Sequence, residues 1–402
     1  MPGPLEGVRV VDLTSMVSGP LATMLLADQG ADVIKVESPA GDHSRQVATR
    51  RGGFSASFLN NNRNKRSVIV DLKQPGGVDA LKRMAECAGV FVQNFRPGVA
   101  ERIGIGEPAI RAVNPAIIYV SICGFGFEGP FAHKPVFDPL VQALSSLTTV
   151  QAGSDDRRPR LVRTILPDKL TAIQASQAIT AALFARERSG KGQHVRLSML
   201  DTLVYFLWSS DMGGHTFIGD ETASETAQSF IDLIYETADG YVSIAVMQDK
   251  EWRSLAAAVE RPDFAEDPRF ATAELRDINK DTRTRLTQEA VLPFTSDDIL
   301  DRLERHDVPC APVLTRREMI RHPQIATNGT VVETIHPHAG MLRQARQPAA
   351  FSQTPAEIRF GAPGHGAHTR AVLAECGFSD GEIAALVSSG AAIDNSDEES
   401  AE

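Results

Sequence analysis

Cysteine is scarce and scattered in this sequence of 402 residues, which has four of them. They are Cys87, Cys123, Cys310 and Cys376, and no two of them form a CxxC pair. That spacing argues against a zinc site and against a disulfide framework, because both need cysteines at short, regular intervals. The sequence therefore predicts reduced thiols, as expected of a cytoplasmic protein.

Long apolar stretches and targeting signals are also lacking. The apolar run from Leu197 to Trp208 is interrupted by Ser198, Asp201 and Thr202, so it does not predict a transmembrane span. The first residues show no basic segment followed by an apolar one, so we expect no signal peptide. These absences predict a cytoplasmic protein that has no membrane partner.

Positive charge is in deficit. The chain has 41 Lys and Arg against 51 Asp and Glu, which gives a formal net charge of −10. No field of the whole chain would attract nucleic acid or an anionic membrane, so an anionic substrate would need a local cationic site. Apolar residues are plentiful at 42%, enough for a sizeable core, and the length predicts two domains or one large domain with an insertion.

Strand-like apolar runs alternate with helix-like stretches in the first part of the chain. The runs GVRVVDL at 7–13, ADVIKVE at 31–37 and SVIVDL at 67–72 predict strands, and PLATMLLADQ at 20–29 predicts a helix. Such alternation predicts an α/β fold with a mainly parallel sheet between helices.

Changes in composition indicate the domain boundaries. A large domain is followed by a polar, glycine-containing linker, a smaller α+β domain, a further segment with a strand and a helix, and an acidic tail that we expect to be disordered. The predicted boundaries are 1–208, 209–230, 231–315, 316–393 and 394–402.

The segment Gly124–Gly129 (GFGFEG) fits the GxGxxG pattern and follows a predicted strand. A dinucleotide fingerprint needs these glycines to open a helix, whereas Pro130 and Pro135 follow here without helical periodicity. We therefore set a nicotinamide site aside. The segment is either a tight glycine turn or a loop that lies close to a ligand.

Two other loops carry groups suited to phosphate. Residues 15–18 join the first strand to a helix N-terminus, where free N–H groups favour an anion, although a plain turn explains them as well. The segment NNRNKR at 61–66 places three cations within four residues. Such a run can clamp phosphates but is more often a solvated turn.

Asp168 stands between Pro167 and an Ala-rich helical stretch that runs to Arg188. A carboxylate in this place most often caps the helix or stabilises its first turn. It can also accept an acyl group, supported by the N–H groups of the same helix end. Sequence position alone does not separate the two roles. The scattered histidines form no metal-ligand set, so no metal site is expected.

Further motifs follow one another along the whole chain. They are DLT at 12–14, PLAT at 20–23, ADVIKVE at 31–37, NKRSVIVDLK at 64–73, NFRPG at 94–98, NPAIIYVS at 114–121, GKGQ at 190–193, MLD at 199–201 and VPCAPV at 308–313. Each is weak alone, but their order and spacing resemble the signature of family III CoA-transferases.

The resemblance implies an interlocked homodimer of ring-shaped subunits. Each subunit would have a Rossmann-like large domain made from both chain ends, with the smaller domain inserted between them. On this basis the segment 316–393 is a linker followed by a return to the large domain.

The resemblance also implies a set of site residues. Asp168 takes the place of the nucleophilic aspartate of the family. Some members add a lysine or histidine near the thiol of CoA, where this chain has Pro135 and Ser15, so we expect Arg63 and Lys65 to compensate. The other positions expected to contact CoA are Ser15, Met16, Val17, Ser18, Asn94, Phe95, Arg102, Gly124 and Phe137.

The activity implied is transfer of CoA between carboxylic acids, with acyl-CoA and a carboxylic acid as substrates and no permanently bound cofactor. Asp168 would form a mixed anhydride and then an aspartyl-CoA thioester. An α-methylacyl-CoA racemase shares the fold, but its histidine and glutamate partners are missing, since Phe137 precedes Asp138 and residues 245–249 include no Glu. A non-catalytic CoA-binding paralogue is the third alternative, and Asp168 argues against it.

Overall fold

The computed structural model describes residues 3–47, 49–227 and 232–396. The chain divides into two compact units. One comprises the described residues up to Glu225 together with those from Gly329 onward, and the other lies within Thr226–Asn328. The boundaries differ from those predicted, because the second unit extends beyond residue 315 and much of the predicted linker 209–230 belongs to the first unit.

The strands, numbered in chain order, are β1 (Arg9–Asp12), β2 (Asp32–Glu37), β3 (Arg50–Arg51), β4 (Phe54–Ser55), β5 (Lys65–Val70), β6 (Val90–Gln93), β7 (Ile118–Cys123), β8 (Gln193–Ser198), β9 (Ile234–Glu236), β10 (Tyr241–Ile244), β11 (Cys310–Pro312), β12 (Val331–His336), β13 (Gly340–Ala345) and β14 (Ala392–Ile393).

The α-helices are α1 (Ser18–Asp28), α2 (Ala56–Asn62), α3 (Pro75–Glu86), α4 (Val99–Arg102), α5 (Glu107–Val113), α6 (Asp138–Leu144), α7 (Leu147–Ala152), α8 (Leu166–Ser189), α9 (Met199–Trp208), α10 (Asp249–Ala258), α11 (Pro262–Glu266), α12 (Ala273–Ile278), α13 (Lys280–Val291), α14 (Ser296–Arg305), α15 (Arg316–Met319), α16 (Pro323–Asn328), α17 (Thr369–Glu375) and α18 (Asp380–Ser388). Within the described ranges, no helix is both long enough and apolar enough to cross a membrane.

The first unit is built on a seven-stranded sheet in the order β14-β5-β2-β1-β6-β7-β8. All neighbouring strands run parallel except β14, which is antiparallel to β5. The inner strands are almost wholly buried, as parallel strands covered on both faces must be. The prediction of an α/β fold with a mainly parallel sheet is confirmed.

The order of the strands reverses at β1. The chain moves from β1 outward through β2 to β5, and then returns to the other side of β1 with β6, β7 and β8. Open α/β sheets bind ligands beyond the carboxyl ends of the strands at such a reversal. A ligand site is therefore expected at the loops that follow β1 and β6.

Helices cover both faces of this sheet. One face carries α1 and α8, whose small residues Ala22, Ala172 and Ala175 allow the helices to pack closely on the strands. The opposite face carries α3, α5, α17 and α18. The α8 helix is the Ala-rich stretch predicted from the sequence, and Gly190 ends it with a positive φ of 68°.

The C-terminal part of the chain completes the first unit. Strand β14 pairs with β5, and Arg359 donates hydrogen bonds to the carbonyl oxygens of Ala27 and Ala31. Residues 397–402, most of the predicted acidic tail, lie outside the described residues. The tail's first residues are hydrogen-bonded, since Arg370 donates to Asp394 and Asn395 donates to the carbonyl oxygen of His365.

The second unit is α+β. An antiparallel sheet in the order β11-β10-β9 packs with α10, α11, α13 and α14 around a separate core. Trp252 lies at its centre, stacked on Phe264, whose carbonyl oxygen accepts the indole N–H at 2.8 Å. Residues 228–231, where the predicted linker meets the predicted small domain, lie outside the described residues.

Candidate functional site

Asp12 is a buried anion at the carboxyl end of β1. One of its carboxylate oxygens accepts hydrogen bonds from the N–H and the hydroxyl of Thr14, and the other accepts from the hydroxyl of Thr23 and the ammonium of Lys65 at 3.0 Å. Burial would raise the pKa of Asp12, but Lys65 and these hydrogen bonds outweigh burial and hold the pKa below its usual value. The carboxylate therefore fixes the start of the loop after β1.

A second buried pair holds the rest of this loop. Lys35 is fully buried, donates to the carbonyl oxygen of Thr14 at 2.9 Å and pairs with Asp42 at 2.8 Å. Asp42 in turn accepts from the backbone N–H of Met16. Met16 has a φ of +71°, which is a strained conformation for a bulky side chain and is tolerated only where the surroundings enforce it.

Gly19 lets helix α1 start directly against this loop. A Cβ atom at position 19 would lie 2.3 Å from the side chain of Thr14, so no larger residue fits without moving the loop. The sequence motif that begins at Asp12 is therefore a set of residues that hold the loop of Ser15, Met16, Val17 and Ser18 in one shape.

The loop is also tied to the neighbouring strand. The backbone N–H of Ser15 donates to the side-chain oxygen of Asn94, and the side-chain amide of Asn94 donates to the carbonyl oxygen of Ser15. Asn94 follows β6, and the N–H of Phe95 donates to the side chain of Gln93. Four of the predicted CoA-contacting positions after β1 and two after β6 thus meet where the strand order reverses.

A cleft of about 410 Å³ opens beside this junction. It is lined from the carboxyl ends of β1, β2 and β5 and by Phe95, and it includes Ser15, Ser38 and the exposed Lys73. Its floor carries buried side chains of the core, and its rim carries polar groups. A cleft of this size and place is suited to an organic ligand of substantial length.

Asp168 lies at the third position of α8, where it faces the start of a second helix. The backbone N–H and the hydroxyl of Ser18, the first residue of α1, lie near this carboxylate and act to lower its pKa. Burial, together with the nearby negative charge of Asp138, raises the pKa of Asp168 to about 6. The N–H and the hydroxyl of Ser18 oppose that rise. The carboxylate is thus aimed at a neighbouring helix rather than used to cap its own.

Asp138 opens helix α6 beside Asp168. One oxygen of its carboxylate accepts from the side-chain amide of Gln142 at 2.6 Å, whereas the other is buried and has no hydrogen-bond partner among the described residues. Burial raises the pKa of Asp138. Three helix starts, at Ser18, Asp138 and Asp168, therefore converge on a site that holds two carboxyl groups.

Arg63 and Lys65 do not reach this surface, which corrects their assignment as phosphate ligands. The guanidinium of Arg63 donates to both carboxylate oxygens of Asp28, at 3.0 and 2.6 Å, and the residue is 4% exposed. Lys65 is fully buried, and its ammonium bonds Asp12, Asn62 and the carbonyl oxygen of Pro20. All the hydrogen bonds of these two cations are made inside the protein.

The remaining predicted positions lie in different settings. Arg102 is exposed at the end of α4, next to a residue that lines the cleft. Gly124 packs so closely on Val136 that a Cβ there would lie 2.4 Å from it, and no helix opens at the Gly124–Gly129 loop. Phe137, which precedes Asp138, is 68% exposed.

A smaller polar cavity of about 220 Å³ adjoins the cleft through Phe95. Gln93 donates to the hydroxyl of Ser121 at 2.9 Å, and that hydroxyl lies 2.9 Å from Nε2 of His194. Arg96 and Arg196 also line it. Burial lowers the pKa of His194, so its ring is neutral near pH 7. The described residues contain no group of three or more His, Cys, Asp or Glu side chains placed to hold a metal ion.

Sequence reasoning did not find the buried pairs beneath the loop or the His194 cavity. One feature of the sequence could have indicated the buried pairs. Asp12, Lys35 and Lys65 are charged residues at strand positions that are otherwise apolar. Buried charges must find partners, so three of them in adjacent strands indicate an internal network. Gln93, Ser121 and His194 carried no such signal.

Comparison with known proteins gives one consistent result. A family model described as CoA-transferase family III matches residues 5–369. The succinate–glutarate CoA-transferase of Agrobacterium fabrum is 33% identical over 92% of this chain and 95% of its own length, and the formyl-CoA:oxalate CoA-transferase of Streptomyces coelicolor is 31% identical over 96% and 98%. The crystal structure of a CAIB/BAIF family protein from Brucella suis matches with a TM-score of 0.83 and 30% identity, covering 94% of this chain and all of that one.

Proposed function

Because this chain belongs to CoA-transferase family III and is a CoA-transferase, we propose that it moves CoA from an acyl-CoA to a second carboxylic acid with Asp168 as the covalent nucleophile. The observation that carries the proposal is the setting of Asp168. Its carboxylate is largely withdrawn from water, lies at a convergence of helix N-termini and has a pKa raised to about 6.

These features suit a carboxylate to nucleophilic attack. A carboxylate is a weak nucleophile in water because it is well solvated and weakly basic. Burial removes part of that solvation, and a pKa near 6 makes the group more basic while leaving most of it ionised at pH 7 to 8. The N–H groups at the helix starts favour negative charge that develops next to them.

The proposed reaction begins with attack of the Asp168 carboxylate on the thioester carbonyl carbon of acyl-CoA. The C–S bond breaks, CoA thiolate leaves, and a mixed aspartyl–acyl anhydride remains. The thiolate then attacks the aspartyl carbonyl carbon, which releases the donor acid as its carboxylate and forms an aspartyl-CoA thioester. The acceptor carboxylate reverses these two steps, so its acyl group leaves as the new acyl-CoA and Asp168 is restored.

The loop after β1 connects the proposed binding and reaction sites. Ser15 lines the cleft, and Ser18, three residues later, lies near the carboxylate of Asp168 and lowers its pKa. We propose that the nucleotide part of CoA occupies the cleft beside Lys73 and Phe95, and that the pantetheine arm crosses the loop so that the thioester reaches Asp168. The exposed Lys73 and Arg102 supply positive charge for the phosphates.

A second copy of the chain is the proposed partner, in the interlocked form that the resemblance implies. Support comes from helices α6, α8 and α9, which carry large apolar side chains at the surface. Clusters of exposed apolar residues of this kind mark interfaces. The most exposed are Ile173, Phe184, Tyr205 and Trp208, at 57, 66, 76 and 51%.

The test is trapping of the covalent intermediate. The purified protein is incubated with succinyl-, glutaryl-, formyl- and acetyl-CoA in turn, quenched with hydroxylamine or borohydride, digested and examined by mass spectrometry. We expect a hydroxamate or an alcohol on Asp168 with at least one donor. Asp168→Ala must lack it, whereas Asp380→Ala, which alters another first-turn aspartate, must retain it.

Other outcomes separate the alternatives. A protein that gives no adduct but exchanges the α-proton of a 2-methylacyl-CoA into deuterated solvent would be a racemase. A protein that shows neither reaction and still binds CoA would be a binding protein, and Asp168 would then have no covalent role.

A further inference from the structure

Cys87 and Cys376 lie side by side although 289 positions separate them in sequence. Their sulfur atoms are 3.2 Å apart, about 1 Å more than the length of a disulfide bond. Each is the first residue after a helix, Cys87 after α3 and Cys376 after α17. Side chains at helix ends can rotate without breaking the hydrogen bonds of the helix, so this gap can close.

The two thiols differ in exposure. Cys87 is exposed to solvent, whereas Cys376 is 9% exposed and covered by the core. An oxidant in solution would therefore meet Cys87 first, and Cys376 is within reach of whatever forms there.

The surroundings favour a thiolate on Cys87. The Cys376 side chain, whose sulfur lies 3.2 Å away, together with the guanidinium of Arg9 at 3.9 Å, lowers the pKa of Cys87 to about 6. Cys87 in turn raises the pKa of Cys376. The carboxyl end of α3 opposes a negative charge, so the thiolate depends on these two neighbours. Glu375 and Asp32 hold Arg9 in place at 2.9 and 2.8 Å.

We propose that Cys87 and Cys376 form an oxidation site in which a peroxide is the oxidant, Cys87 is the attacking thiolate and Cys376 is the resolving thiol. The sulfur of Cys87 attacks one peroxide oxygen, the O–O bond breaks, and hydroxide departs as the leaving group. Cys87 is then a sulfenic acid. The sulfur of Cys376 then attacks the sulfur of Cys87, and the S–O bond breaks. The oxygen departs as water, and the product is a disulfide between the two residues. Two thiols supply the two electrons that reduce one hydrogen peroxide to two waters.

The pair lies near the amino-terminal end of β1, whereas the candidate site lies beyond the carboxyl end of this strand. Gly89, two residues after Cys87, donates its N–H to the carbonyl oxygen of Arg9 at the start of β1. The loop that leads to Ser18 and Asp168 follows the other end of β1. A disulfide here would join α3 to α17 and close a long loop of chain without contacting Asp168. It is expected to raise stability and to leave CoA-transferase activity unchanged.

The full-length reduced protein is treated with a small excess of hydrogen peroxide, alkylated, digested without reduction and analysed by mass spectrometry. We expect a linked peptide pair that contains Cys87 and Cys376, and an apparent Tm at least about 3 °C higher than that of the reduced protein. In Cys376→Ser, Cys87 should accumulate as a sulfenic acid that dimedone labels. In Cys87→Ser, Cys376 should stay reduced. Cys310→Ser, which alters a thiol of the second unit, should behave as wild type.

Three results would overturn the proposal. The first is that no linked peptide forms although Cys87 is oxidised to sulfinic acid. Another is oxidation of Cys376 at an undiminished rate in Cys87→Ser. The third is a Cys87 disulfide between two copies of the chain, seen as a dimer on a non-reducing gel that Cys376→Ser does not remove. The proposal stands independently of the catalytic role of Asp168, because trapping on Asp168 and this oxidation are read from different peptides.

Discussion

Asn94 holds Ser15 by both ends of its side-chain amide. The N–H of Ser15 donates to Oδ1 of Asn94 at 3.0 Å, and Nδ2 of Asn94 donates to the carbonyl oxygen of Ser15 at 2.9 Å. Ser15 follows β1 and Asn94 follows β6, so this exchange joins the two strand ends between which the strand order reverses. The amide orientation is fixed by the pair, since only one orientation makes both hydrogen bonds.

Asn94→Ala should therefore loosen the loop that runs from the cleft to Asp168. We expect the KM for acyl-CoA to rise about tenfold, the equivalent of one or two lost hydrogen bonds, with a smaller fall in kcat. Steady-state kinetics at saturating acceptor acid measure both. Asn61→Ala is the matched control, because within the described part of the chain the Asn61 amide donates only to the carbonyl oxygen of Ser57 in its own helix. An unchanged KM in Asn94→Ala would mean that this hydrogen-bond pair does not shape the binding site.

The activity should depend on pH through Asp168. Attack requires the ionised carboxylate, and its pKa is raised to about 6, so kcat/KM should fall tenfold per pH unit below about pH 6 and be level from pH 7 to 8. Asp138→Asn removes a negative neighbour and should move this fall to lower pH, because the proton on Asp168 would then be held less tightly. A profile that stays level down to pH 5 would show that another step limits the rate or that Asp168 is not the group that titrates.

Removing the charge of Asp168 should stabilise the protein above neutral pH. The folded protein holds the proton of Asp168 more tightly than the unfolded chain does, so stability declines as pH rises from about 4 to about 6 and stays lower above that. Asp168→Asn avoids this decline. We expect the free energy of unfolding to increase by about 1–3 kcal/mol at pH 7.5, with the difference disappearing below about pH 4. Denaturant titrations at the two pH values test the change and its sign.

Lys65 and Lys73 are expected to have different roles, since Lys65 stabilises the fold and Lys73 binds acyl-CoA. Lys65→Met leaves the Asp12 carboxylate buried without its main cation and should lower the free energy of unfolding by about 3–5 kcal/mol. Lys73→Met alters an exposed residue at the cleft and should leave stability within about 0.5 kcal/mol while raising the KM for acyl-CoA. Equal stability of the two variants would contradict the internal role assigned to Lys65.

The strands of the sheet were predictable because the signal for each strand lies in its own residues. Parallel strands that are buried on both faces are continuous apolar runs, and the runs at 7–13 and 31–37 contain the observed strands Arg9–Asp12 and Asp32–Glu37. The start of α8 was also predictable, because Pro167 is favoured in the first turn of a helix.

The roles of charged residues were harder to predict. The cluster Arg63–Lys65–Arg66 resembles a solvated or phosphate-binding loop, but each cation pairs with a different carboxylate of the protein. Arg63 pairs with Asp28, Lys65 with Asp12, and Arg66 with Asp32 and Glu375. Whether a cation faces a substrate or an internal carboxylate depends on which strands become neighbours, and that information is not local. The pKa of Asp168 likewise depends on Asp138, thirty positions earlier and on another helix.

The pairing of β14 with β5 has a consequence for how the protein is made. The partner of β5 lies more than 300 residues later in the chain, and Arg66 and Cys87 also wait for residues near position 375. At roughly 5–20 residues per second, a ribosome would need on the order of half a minute to deliver them. During that interval the edge of β5 is open on the nascent chain, whereas the second unit is continuous in sequence and can fold as soon as it emerges. The first unit begins to fold first and finishes last.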